Sequence, residues 1–220
     1  MDSEFSVEGF VLAGGRSTRM GQDKALLQVA DRSLIDMALG KLRALPLAAA
    51  PRIAGGSLAL QSHAQVIADL HPGCGPLSGI EAALAASSQL FNVFVPVDTP
   101  LLPAQFLVWL LRRARITGAL ATIPRINGEP QPLCAVYHRQ LLAAIRAALL
   151  EGNWKVMPVV SGEGLGQSGG QSTDVFDVEF AASADPSLLD SSPLPPYRWF
   201  HNCNTPEDMV GVGNALVLSQ

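Results

Sequence analysis

The residues best suited to chemistry stand together near the start of the chain. The run Leu12-Ala13-Gly14-Gly15-Arg16-Ser17-Thr18-Arg19-Met20-Gly21-Gln22-Asp23-Lys24 places paired glycines and three cationic side chains directly after an apolar stretch. Gly14 and Gly15 lack a β-carbon, so the backbone can turn sharply and lay its N–H groups against an anion. Arg16, Arg19 and Lys24 supply charge. Against Asp23 they leave the loop at about +2, which complements part of the roughly four negative charges of a nucleoside triphosphate. A divalent metal would supply the remainder. Counting excludes two other phosphate loops. Five residues separate Gly15 from Gly21, and Gln22 follows where a Walker-type loop needs Lys; the adjacent glycines also break the dinucleotide pattern Gly-x-Gly-x-x-Gly. A bare Gly-Gly is equally compatible with an ordinary turn from strand to helix.

Asp98 ends the apolar run Val93-Phe94-Val95-Pro96-Val97 and precedes Thr99-Pro100. A carboxylate there is costly to bury unless a cation faces it, although Asp-Thr-Pro can also simply begin a turn. Asp69 follows another apolar segment and leads into a Gly-Pro-rich stretch, so it either faces the same cleft or caps a turn. Gly75, Pro76 and Leu77 form a rigid wall against a purine, the entry to the next helix, or both. His63, His71, His138 and His201 are scattered, with no Ser or Cys beside them in a hydrolase pattern.

These motifs resemble the molybdenum cofactor guanylyltransferases, which join GMP from GTP to molybdopterin. The likeness rests on the Leu12–Lys24 signature and continues in the same order through Cys74-Gly75-Pro76-Leu77-Ser78-Gly79, Pro96-Val97-Asp98-Thr99-Pro100, Pro132-Leu133-Cys134-Ala135-Val136-Tyr137-His138 and Asn202-Cys203-Asn204-Thr205-Pro206-Glu207. It implies a nucleotide site made of Leu12, Ala13, Gly14, Gly15, Arg16, Lys24, Asp69, Gly75, Pro76, Leu77 and Asp98. Asp98 is then the Mg2+ ligand, Lys24 and Arg19 share the catalytic work with it, and Asn202 and Asn204 lie on the pterin side. Transfer to a phosphomonoester needs no general base, because the nucleophile is already an anion that must be aligned with the α-phosphorus. The resemblance also implies GTP and molybdopterin as substrates and leaves room for transient contact with molybdoenzyme maturation proteins.

Two departures from the family stand out. Ile53-Ala54-Gly55-Gly56 occupies the place of a polar, Asn-type base contact, and residues 161–196 exceed the usual length. Gly14-Gly15, where cytidylyl relatives often carry Ala-Gly, favours GTP. The competing readings are a cytidylyltransferase, a nucleotidyltransferase for another phosphate, and a noncatalytic nucleotide sensor; retention of Lys24 together with Asp98 counts against the sensor.

The elements that must position these residues follow from the apolar pattern. Runs apolar on both faces, at Val7 to Leu12 and Val93 to Val97, predict strands of a covered parallel sheet, with shorter strands at Ala48 to Ile53 and Val66 to Ala68. Ser33-Leu34-Ile35-Asp36 is a capping-box signal ahead of a helix, and Ser78-Gly79-Ile80-Glu81 predicts another running to about Ser87. Pro103 at a first helical position opens a third, with Leu107, Leu110, Leu111 and Ala114 on one face. Strands are expected at Ala119 to Pro124, Leu133 to Tyr137 and Asp174 to Phe180, and helices over Gln140 to Leu150 and after Pro206. Pro193, Pro195 and Pro196 suggest an extended return. Residues 161–172 read as a flexible loop, either a lid or a surface insertion. The expectation is one α/β domain over 1–220, a three-layer α/β/α sandwich with a Rossmann-like, mostly parallel sheet, with a flexible insertion at 161–196. Residues 13–24, 69–76 and 98–100 each follow a strand, so the chemistry falls on one edge.

Composition narrows the classes. With 220 residues, 48% of them apolar, the chain supports one substantial core. A net charge of −4 argues against a nucleic-acid binder. Three widely spaced cysteines suggest neither a disulfide framework nor a zinc site. Acidic Asp2, Glu4 and Glu8 do not suit a signal peptide and no run reaches the roughly 18 apolar residues of a membrane span, so a cytoplasmic protein is expected. The oligomeric state is left open.

Overall fold

The computed structural model describes residues 5–14, 23–162, 173–190 and 192–217. Gly15, Arg16 and Arg19, with most of the expected 161–172 loop, lie outside the described residues. The first strand, β1 (Val7–Leu12), is buried along its whole length. A short hairpin of β2 (Gln28–Val29) and β3 (Arg32–Ser33) leads into α1 (Leu34–Arg43), where the Ser33 hydroxyl accepts from the Asp36 N–H at 3.2 Å, as the capping-box signal implies. There follow β4 (Arg52–Ala54), β5 (Val66–Ile67), α2 (Pro76–Ala86), β6 (Phe91–Pro96) and α3 (Ala104–Thr117). Then come β7 (Ala121–Ile126), β8 (Glu129–Pro130), β9 (Ala135–His138), α4 (Leu141–Leu150) and α5 (Val156–Val160). The remainder comprises β10 (Thr173–Asp177), α6 (Val178–Ala184), α7 (Ser187–Asp190), α8 (Pro196–Trp199) and α9 (Pro206–Val217).

The main sheet runs in the order β10-β7-β9-β6-β1-β4-β5, with β8 paired to β7. Neighbours in it are parallel except where β9 lies between β6 and β7 and where β8 meets β7. Side chains alternate across it. Val7 and Val11 of β1 and Val93 and Val95 of β6 join a core with α1, α3 and α9, while Phe10, Leu12 and Phe94 join another with α2, α4 and α5. Both faces are therefore covered, which is the expected three-layer α/β/α sandwich.

The C-terminal part is fastened to this frame by aromatics. Trp199 is completely buried, donates from Nε1 to the Leu194 carbonyl at 2.8 Å, and packs 5.7 Å from Phe106 of α3; Phe200 meets the same ring edge-on at 5.5 Å. Each such side chain contributes roughly 1.5–3 kcal/mol by leaving water. Together they fix where residues 201–206 emerge beside the sheet edge.

Several boundaries differ from the sequence reading. Helix α2 opens at Pro76 with Gly75 as cap at φ 73, not at a Ser78 box, because proline at the first helical position and a positive-φ glycine already define the start. The Ser78 hydroxyl instead accepts from the His71 N–H at 3.2 Å, and Glu81 pairs with Arg146 at 2.9 Å. Pro103 precedes α3 in an extended conformation instead of lying inside it. The Ala48 to Ile53 strand shrinks to β4. The Asp174 to Phe180 strand stops at Asp177, which is clamped bidentately by Arg125 at 2.6 and 2.8 Å, and the chain turns helical at Val178. Pro196 opens the short α8 instead of continuing an extended return.

Candidate active site

The parallel strands β5, β4, β1 and β6 all end on one edge, and their ladder continues past the last strand residues. Ala13 donates to the Ala54 carbonyl at 3.1 Å, Gly55 to Ile67 at 3.0 Å, and Val97 to Leu12 at 3.1 Å. The loops that follow are thereby held shoulder to shoulder. Of the nucleotide-site candidates, Leu12 and Ala13 are buried at the edge, Gly14 is exposed, and Asp69 and Asp98 arrive from the neighbouring loops.

Asp69 sits in a nest of glycines. A β-carbon on Gly55 would come 3.1 Å from the Asp69 Oδ1 and 3.1 Å from the Gly14 Cα; one on Gly79 would lie 3.6 Å from the same oxygen and one on Gly14 3.8 Å from Oδ2. Gly55 and Gly56 also take φ of 71 and 82, which side-chain-bearing residues rarely adopt. A side chain at Gly55 would therefore crowd the Asp69 carboxylate. Its Oδ1 is buried with no hydrogen-bond partner among the described residues. Burial, and after it the Glu81 charge, raises the Asp69 pKa above the usual carboxylate value. A buried oxygen without a donor is a costly arrangement, and it favours the neutral acid.

Lys24 opens a single 3-10 turn, Lys24–Leu26, that Asp23 caps: Oδ1 accepts from the Ala25 N–H at 3.1 Å and Oδ2 from the Ser57 hydroxyl at 2.9 Å. The turn aims the Lys24 ammonium at Asp98, with Nζ 2.6 Å from Oδ2. The same ammonium donates to Asn204 Oδ1. Asp98 therefore has the facing cation that its position at the end of β6 demands. Its carbonyl accepts from the Cys203 N–H at 2.8 Å, which ties the strand end to the segment carrying Asn204.

Asn204 is itself oriented from α9. Its N–H and that of Thr205 both donate to Asp208 Oδ2, at 2.9 and 2.8 Å, while the Thr205 hydroxyl accepts from the Asp208 N–H at 3.2 Å. These backbone bonds hold the Asp208 carboxyl below its usual pKa. Thr205 thus caps α9.

The remaining candidates divide. Gly75 and Pro76 stand at the α2 entry, where Gly75 has open space around its Cα. Leu77 is completely buried between α2 and the sheet, so its side chain belongs to the core and not to a ligand wall. Asn202 is exposed and makes no hydrogen bond among the described residues, unlike Asn204. Sequence reasoning missed Ser57, Cys203 and Asp208. The first two act through a single hydroxyl and a backbone N–H, for which sequence carries no signal; the four-residue Thr205–Asp208 spacing was visible, but its role in aiming Asn204 was not.

Among the described residues no helix is long and apolar enough to cross a membrane. Comparison with known proteins agrees with the architecture of this edge. The chain is 32% identical over 92% of its length to a probable molybdenum cofactor guanylyltransferase of Pelotomaculum thermopropionicum, covering 89% of that protein. It is 30% identical over 90% of its length to one of Methanothermobacter thermautotrophicus, covering 95%. The crystal structure of molybdopterin-guanine dinucleotide biosynthesis protein A from Archaeoglobus fulgidus shares the fold, with a TM-score of 0.74 at 24% identity over 96% of this chain and 99% of that one. The MobA-like NTP transferase domain matches residues 9–162, a span that holds Lys24, Asp69 and Asp98. With that domain matched over most of the chain and relatives matched nearly end to end, the chain belongs to the MobA-like NTP transferase family and is a nucleotidyltransferase.

Proposed function

We propose that the protein transfers GMP from GTP to the terminal phosphate of molybdopterin, releasing pyrophosphate, in a magnesium-dependent reaction. The observation that carries this reading is the Lys24 ammonium shared between Asp98 and Asn204, which joins the phosphate loop, the β6 end and the C-terminal segment at one point. Gly14, with Gly15 and Arg16 beyond it, lends backbone and charge to the triphosphate. Gly75 and Pro76 border the base. Gly14-Gly15, where cytidylyl relatives often carry Ala-Gly, favours GTP over CTP.

Magnesium is held by one or two carboxylates together with substrate phosphates, and it supplies charge neutralisation on the pyrophosphate leaving group. The residues fit such an ion. In this reading Asp98, partly exposed at the end of β6, is the carboxylate that would share the ion with a triphosphate. Lys24, with Arg19, holds the departing phosphates, and Asn204, with Asn202, meets the acceptor substrate. The nucleophile arrives as a phosphate oxygen, so these residues orient and neutralise and no side chain has to take a proton. Calorimetric titration with GTP and CTP, each with magnesium, followed by a dinucleotide-formation assay with molybdopterin, tests the reading. Preference for CTP would select the cytidylyl alternative, and absence of product with well-bound GTP would select another phosphate acceptor.

A further inference from the structure

Lys41 is a partly buried lysine in the last turn of α1 with an unusual partner. Its ammonium forms no ion pair among the described residues; instead Nζ donates to the Thr99 carbonyl at 2.7 Å. Thr99 directly follows Asp98. The segment on which Asp98 rides is tied from three sides: Val97 N–H to the Leu12 carbonyl at 3.1 Å, the Asp98 carbonyl to Cys203 N–H at 2.8 Å, and the Thr99 carbonyl to Lys41. Leu102 N–H reaches that last carbonyl only at 3.3 Å, and the Thr99 hydroxyl is turned back to the Pro96 carbonyl at 3.2 Å. Of these three ties to backbone, Lys41 alone is made by a side chain, and it acts beside the Lys24 ammonium that holds the Asp98 carboxylate itself.

An ammonium withdrawn from water without a carboxylate costs stability, and a single carbonyl offsets that cost only in part. Burial draws the amine down to about 7, with the Cys134 site opposing and Arg32 adding to the fall. A bond to one neutral carbonyl is therefore a weak stability reason for a lysine at this site. We propose that Lys41 is a positioning residue for the Asp98 carboxylate, acting through the Thr99 carbonyl to fix the strand end against which metal and triphosphate are aligned. This rests on Asp98 serving the nucleotide-bound metal.

The test uses the full-length protein with Lys41→Met. Amide hydrogen exchange at Leu102 and Cys203, the donors to the Thr99 and Asp98 carbonyls, should quicken by about 10-fold, the loss of one hydrogen bond's restraint. Mn2+ affinity measured by electron paramagnetic resonance with GTP present and no acceptor substrate should weaken by a similar factor. GTP affinity without metal should hold, and the melting temperature should stay level or rise. The proposal is overturned if exchange and Mn2+ affinity both match wild type. It is equally overturned if the melting temperature falls while exchange quickens across the whole sheet and metal-free GTP binding weakens too, which would make Lys41 a purely structural residue. Should Lys41→Met not fold, Lys41→Gln, which retains a neutral donor, is read on the same scales with a smaller shift expected. A wild-type protein that binds no Mn2+ with GTP would remove the role of Asp98, whereas the exchange measurement, which needs no ligand, still decides whether Lys41 holds the loop.

Discussion

Replacing Asn204 by alanine tests whether the nucleotide half and the acceptor half of the site are independent. On sequence grounds Asn202 and Asn204 serve only the acceptor substrate, so changing them would leave GTP binding alone. The geometry leads elsewhere, because Asn204 Oδ1 accepts from the Lys24 ammonium that also pairs with Asp98. A hydrogen bond to a charged group is worth roughly 1.5–3 kcal/mol when buried. The Lys24 side chain is 17% exposed and keeps Asp98 as a partner after the change, so a discounted value of about 1 kcal/mol is appropriate. That corresponds to about a five-fold rise in the Kd for GTP. Asn202→Ala, which removes an exposed side chain without a hydrogen bond among the described residues, should leave the same Kd unchanged. A double-mutant cycle sharpens the test: with Lys24→Met already present, Asn204→Ala should add nothing to the loss of GTP affinity. Isothermal titration calorimetry of the four proteins gives the answer. Wild-type GTP affinity in Asn204→Ala, or an undiminished effect in the Lys24→Met background, refutes the coupling.

Asp98→Asn should fold normally yet lose most pyrophosphate release at saturating magnesium, because a neutral amide is a poor ligand for a hard cation; turnover near wild type would exclude the metal role. Gly55→Ala should destabilise by about 1–3 kcal/mol in a urea titration, since the new methyl meets Asp69 and Gly14 at 3.1 Å in a positive-φ backbone, and should weaken GTP binding as well. For Lys41 the folded-state pKa, about 7, lies below the ordinary lysine value of 10.5. Above pH 7 the unfolded chain therefore binds more protons than the folded one, and stability gained from this group rises from about pH 7 to about 10.5. Melting temperatures across that range should climb for wild type relative to Lys41→Met; parallel curves would show that the amine titrates normally.

Much of the frame was legible because it is written in local pattern. The two-sided apolar runs of β1 and β6, the Ser33 cap and the α3 face need only neighbours within a few residues. At α2 two local signals competed, and the Gly75-Pro76 start prevailed over the Ser78 box, leaving the Ser78 hydroxyl to accept from the His71 backbone. The strand expected to reach Phe180 failed because apolar alternation cannot reveal that Asp177 is gripped by Arg125 from β7. Within the site, Lys24, Asp69 and Asp98 could be picked out by type and position. The bond from Lys24 to Asn204 could not, since no periodicity connects residues so far apart. Nothing in the sequence singles out Lys41, and only the fold shows its amine turned to the Thr99 carbonyl.

The meeting of Lys24 with both Asp98 and Asn204 also has a consequence for how the protein is made. Synthesis proceeds from the N-terminus at about 5–20 residues per second, so some 5–20 s separate the appearance of Asp98 from that of Asn204. In that interval β1, β4, β5 and β6 are all available to pair, and the Lys24–Asp98 contact can form on a sheet edge that still lacks Cys203 and the Trp199 anchor. The nascent chain thus carries Lys24 and Asp98 before it carries the segment that completes the candidate site. Ribosome-bound chains arrested before residue 199 should capture nucleotide poorly and transfer none of it, so catalytic competence arrives late in translation and not with the first folded strands.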